Sequence, residues 1–137
     1  MSTDVLIARW TEGGDKIASL ADEFPAERYD FSPAPEVRTF AAQLRHVAFW
    51  NHHLAATLRG ERPDGAADEL SAAGFAGKPA IAAAVRESFA AVAAAIAASE
   101  AESAAGNVIS FIGHNAEHYG QMVISFRLSG LVPPASR

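Results

Sequence analysis

Four stretches of apolar residues spaced three or four apart, abundant alanine and no run of strand-like alternation predict an all-α chain. At 137 residues such a chain makes one domain, spanning 1–137. The expected architecture is a four-helix bundle with long connections between helices.

The first helix is expected from about Thr3 to Phe24. Leu6, Trp10, Gly13, Ile17, Leu20 and Phe24 mark its buried stripe, and Ser2 or Thr3 can cap it. Gly13 and Gly14 each weaken a helix by about 1 kcal/mol relative to Ala, so a kink or a close helix contact is expected there. Pro25 ends the helix. The segment PAERYDFSPAPEVRTF, with three prolines and no helical period, reads as a linker crossing the bundle surface.

The second helix is expected to start near Pro35 or Glu36. Phe40, Leu44, Val47, Asn51, Leu54 and Leu58 form its stripe, and Gly60 suits the position past its end. Residues 60–78 are a second long connection, with a short helical turn expected at Ala66–Ala72. Pro79 opens the third helix, whose stripe is Ile81, Val85, Phe89, Val92 and Ile96 and which frays after Ser99. Asn107 is the expected cap of the fourth helix, which runs to Leu128 or Ser129. Gly130 stops it and Pro133–Pro134 prevents a restart. Two long connections permit a topology other than simple up-and-down.

The net charge of −5 and the scattered basic residues argue against nucleic acid, which demands a basic patch. With no cysteine there is no disulfide, Cys nucleophile or Cys-based zinc site. MSTDVLIARW lacks a basic start and a long apolar run, so it does not read as a signal peptide. No stretch of about 20 strongly apolar residues is evident, so no membrane contact and a cytoplasmic location are expected.

The chemistry is concentrated in histidine. GHNAEHYGQ, residues 113–121, places His114 and His118 one helical turn apart on the same face. Both border the core face, where a buried imidazole needs a partner and a divalent ion is an efficient one. His46, in LRHVAFWNHH, borders the core stripe of the second helix and supplies the third ligand. Trp50 and His53 continue its strip. With Asn115 and Gln121 they are candidates for the pocket or for supporting the ligands, whereas His52 points to solvent. Three neutral imidazoles leave the ion its full charge and an open position, the pattern of a catalytic site. The metal-binding and core-hydrogen-bonding readings of these histidines both stand on sequence alone.

HNAEH also fits the inverted zinc-peptidase pattern H-x-x-E-H, with Glu117 as base. That reading needs an acidic ligand downstream. After Glu117 the chain has no Asp, Glu or His except His118, so the reading fails.

FSPAPEVRTFAAQLRHVAFWNHHL and FIGHNAEHYGQMVISFRLSGLVPPASR resemble the DinB-like (DinB/YfiT) superfamily over nearly the whole chain. The resemblance implies a four-helix bundle, often a homodimer, with a divalent ion held by His46, His114 and His118. Zinc, nickel or iron suits such a set. Some relatives transfer or isomerise with a low-molecular-weight thiol, so a metal-dependent enzyme activating a thiol or water for a small-molecule substrate is the leading expectation. A thiol pocket would need basic groups, for which Arg38, Arg45 and Arg127 are candidates. Tyr119 reads as structural. The alternative is a non-catalytic protein in which the triad holds a structural or sensory ion. The Ala-rich third helix or the first helix could supply a dimer contact.

Overall fold

A computed structural model describes all of residues 1–137. It contains four long helices and no strand: α1 (Thr3–Glu23), α2 (Phe40–Leu58), α3 (Lys78–Ala97) and α4 (Ala101–Leu128). Short 3₁₀ turns sit at Ala26–Arg28 and Pro134–Ser136. Ser2 caps α1 by accepting from the Val5 N–H.

Two helix starts differ from the sequence reading. α2 begins at Phe40, where Thr39 accepts from the Ala42 N–H, and not at Pro35 or Glu36. Glu36 has φ 68°, a left-handed conformation no α-helix contains. Ser32 Oγ lies 2.7 Å from the carbonyl oxygens of both Ala34 and Val37 and donates its one proton to either, closing a turn in its place. α4 begins at Ala101, two turns before the expected Asn107 cap. Helix propensity across AESAAG, together with burial of Ala104, carries the helix through Asn107 without a side-chain cap. The expected helical turn at Ala66–Ala72 is absent: Asp68 at φ 63° interrupts it, and the Leu70 N–H bonds the Arg45 carbonyl of α2.

The residue pairs fix the topology. Lys78 Nζ reaches the Phe24 carbonyl, Arg86 pairs with Asp22, and Trp10 meets Phe89, so α3 runs antiparallel to α1. Phe40 and Phe126 both pack on Phe24, and Lys16 lies over the Tyr119 ring, so α4 runs parallel to α1. Phe24, past the end of α1, stacks on Phe40 at the start of α2, so α2 also runs antiparallel to α1; it is therefore parallel to α3, which it meets at the Asn51–Ser88 bond. The packed pairs are α1–α3, α3–α2, α2–α4 and α4–α1. Parallel neighbours that follow each other in sequence need a connection returning the length of the bundle, about 28 Å for 19 residues. Residues 59–77 are that return strap.

At one end of the bundle Phe24, Tyr29, Phe40 and Phe126 form an aromatic cluster, with Phe24 stacked on Phe40 at 4.0 Å between centroids. Higher up, Trp10 packs on Phe89 at 5.1 Å and donates its indole N–H to the Phe89 carbonyl at 3.0 Å. α3 is long and apolar enough to cross a membrane by length and composition, against the sequence expectation. Its face of Ile81, Val85, Phe89, Val92 and Ile96 is spent on α1 and α2 instead.

The paired glycines have different roles. A Cβ on Gly14 would lie 2.7 Å from Cδ1 of Phe89, so this glycine lets α1 and α3 approach. A Cβ on Gly13 meets nothing within 4 Å. The substitutions therefore have opposite signs. Gly13→Ala should stabilise by up to about 1 kcal/mol through helix propensity. Gly14→Ala should destabilise by about 1–2 kcal/mol, because overpacking outweighs that gain. Paired urea unfolding curves measure both.

Candidate metal centre

His46 of α2 and His114 and His118 of α4 meet in the seam between these two helices. Nε2 of His114 lies 3.3 Å from Nε2 of His46 and 3.1 Å from Nε2 of His118. Two nitrogens bound to one tetrahedral zinc at 2.0–2.1 Å stand about 3.3 Å apart, so the spacing fits a shared ion.

The outer nitrogens decide the tautomers. Nδ1 of His46 lies 2.9 Å from the Asp68 carbonyl, which can only accept, so this nitrogen carries the proton. Nδ1 of His118 donates to Oε1 of Gln43 at 2.7 Å. Gln43 is oriented in turn, because its Nε2 donates to Oε1 of Gln121 at 2.6 Å. Both Nε2 atoms therefore present lone pairs to His114. That ring has one proton, which can satisfy only one of them, and its own buried Nδ1 makes no hydrogen bond. A cation satisfies all three lone pairs at once. Outer hydrogen bonds that fix each ring's tautomer are the usual support of histidine ligands.

Asp68 anchors the strap. Its Oδ1 accepts from the Trp50 indole at 2.7 Å and its Oδ2 from Arg38 at 2.6 Å. Gly65 lies against the Trp50 ring, where a Cβ would come within 2.8 Å. The Trp50 hydrogen bond, with His46 and Arg38 nearby, holds the Asp68 carboxyl below its ordinary value. Its backbone carbonyl is thus locked onto His46.

Burial is the main cause that lowers all three imidazole pKa values. His118 falls to about 4, through burial and then the neighbouring His114 and His46. At neutral pH the three rings are neutral, as ligands must be.

The other residues singled out from sequence separate cleanly. Trp50 acts through Asp68, and His53 lies beside the Trp50 ring at 4.8 Å, away from the three Nε2 atoms. Gln121 reaches His118 through Gln43. Asn115 donates to Asn51, and its side chain also bears on His114. His52 and Glu117 are exposed. Arg38 joins the site by way of Asp68, Arg45 bonds the Phe75 carbonyl, and Arg127 is exposed. Sequence reasoning missed Gln43 and Asp68. Gln43 stands three residues before His46, so helical spacing could have flagged it. Asp68 lies in irregular backbone, where no period points to it.

A bundle with one His on its second helix and an H-x-x-x-H pair on its fourth defines a recognisable class of protein. The model of the DinB superfamily matches residues 9–124, and the chain belongs to that family. No curated protein matches the chain.

Two measurements follow. Asp68→Ala keeps the backbone carbonyl that accepts from His46 but removes the carboxylate bonds to Trp50 and Arg38 that hold it there, so it should weaken metal binding by up to about tenfold. Competition against a chromophoric chelator reads this. In metal-free protein, unfolded His118 titrates near its ordinary 6.5 and the folded ring near 4. The unfolded chain therefore takes up protons first, and stability falls as pH drops from 6.5 towards 4. Stability against pH should be flatter over this range in His118→Asn.

Proposed function

We propose that this protein is a metal-dependent enzyme that activates a low-molecular-weight thiol, for transfer to or isomerisation of a small-molecule substrate. The observation that carries the proposal is the convergence of three neutral imidazoles on one point. The protons of His46 and His118 are fixed outward by Asp68 and Gln43. Zinc, nickel or iron suits such a ligand set. When bound, the ion supplies Lewis acidity and makes a thiol or water beside it easier to ionise.

The chain's own residues favour the thiol. A thiol ionises near 8.5 unaided, whereas water starts from 15.7 and profits from a general base. Glu117 is exposed and the Asp68 carboxylate is committed to Trp50 and Arg38. Neither carboxylate is therefore held by a hydrogen bond in position to serve water at the cluster. His114 is only half-buried, leaving an approach for a small molecule on its side of the seam. Arg38, at the same edge, contributes positive charge towards all three imidazoles and suits a thiol bearing carboxylates.

A second reading has its own support. The α2–α4 seam is filled here by Gln43, His46, His114, His118 and Gln121 where apolar side chains would otherwise pack. An ion in that seam would staple the two helices without catalysing anything.

Metal analysis of purified protein should find one divalent ion per chain. His118→Ala should lower its retention by at least about tenfold. A panel of low-molecular-weight thiols with an electrophilic acceptor should show turnover abolished by chelator and restored by metal. Chelator-sensitive melting without any turnover across the panel would select the staple.

A further inference from the structure

We propose that two copies of this chain pair through the outward face of α4, antiparallel and about a two-fold axis. α4 runs for 28 residues, and its packing against α1 and α2 leaves one side of it open. On that side Ile109, Ile124 and Leu128 are each more than half exposed. Between Glu102 and Arg127 the helix carries one carboxylate, Glu117, and no Lys or Arg. A helix side that meets only water ordinarily carries charge, whereas the centre of a protein interface is depleted of it. α3 exposes no large apolar side chain and α1 exposes only Val5, so neither contact expected from sequence offers such a face.

The face complements itself. Gly106, Gly113 and Gly120 recur every seven residues, the period that keeps two helices in contact along their length. A Cβ at any of the three meets nothing within 4 Å, so no contact inside the chain requires glycine there. Each of them weakens the helix it sits in. Set α4 against a copy of itself running the other way, crossing midway between Gly113 and Ala116. Ile109 then faces the partner's Gly120, and Ile124 faces the partner's Gly106. Large side chains enter sockets that glycine leaves open. The same register brings Glu102 to the partner's Arg127 at both ends of the pair. Neither residue forms an ion pair within its own chain, and both are exposed. A parallel pair would set Glu102 against Glu102 and Ile109 against Ile109. Glu117 stands at the border of the face and is exposed, so its carboxylate stays in water. Size and charge together select a second copy as the occupant and fix its direction.

Sedimentation velocity of the full chain reads the assembly. The parent should form a dimer that dissociates on dilution, with a dissociation constant on the order of 1–100 μM, because one helix pair lies at the small end of stable interfaces. Ile124→Glu puts a charge in the face and should weaken the dimer at least about tenfold. Gly120→Leu fills the socket for the partner's Ile109 and should do the same. The dilute Gly120→Leu chain should keep its helical circular dichroism and melt no lower than the parent. Glu102→Arg and Arg127→Glu should each weaken pairing severalfold, and the two together should restore it. A parent that stays monomeric at about 1 mM, a dimer that tolerates both Ile124→Glu and Gly120→Leu, or a double reversal no tighter than either single would each overturn the proposal.

Discussion

The parallel pairing of α2 with α3 governs the rest of this molecule. Two helices that follow each other in sequence and point the same way need a strap running back between their ends. In this chain the strap lies along α2, past His46, and its anchor is Asp68. A simple up-and-down bundle would replace it with a short turn and leave Nδ1 of His46 facing water. The ring would then be free to choose either tautomer. The topology thus supplies the hydrogen bond that aims one imidazole, and α2 supplies Gln43 to aim another.

The strap's conformation carries local strain in return for that placement. Asp68 sits at φ 63°, a region that Asp tolerates better than most residues. The carboxylate bonds to Trp50 and Arg38 hold it there. Trp50 in turn depends on Gly65, the one residue type that fits flat against its ring. The outer support of the metal centre is therefore a chain of contacts running from a glycine through an indole and a carboxylate to a carbonyl. None of these atoms would touch the ion.

Much of the fold was legible because helices advertise themselves. The stripes of α1, α2 and α3 match the buried faces except at Gly13, whose place Gly14 takes, and at Leu58, which is only partly buried; the H-x-x-x-H spacing brought His114 to His118 as one helical turn requires. Helix starts were less legible. Glu36 looks like a helix residue until its left-handed backbone is seen, and Asn107 looks like a cap although an alanine-rich stretch extends past it. Asp68 was out of reach for a different reason. Its role comes from a crossing of two segments 22 residues apart, and irregular backbone has no period from which to read such a crossing. Asn115 was picked out as a neighbour of His114, but its bond to Asn51 across the α2–α4 seam could not be read from α4 alone.

The separation of the ligands along the chain has a consequence for biosynthesis. His46 precedes His114 by 68 residues, and both ligands of α4 lie in the last quarter of the polypeptide. A nascent chain that has completed three helices owns a single imidazole of the set, together with the strap that orients it. An ion held by all three imidazoles could be captured only once synthesis has reached the final helix.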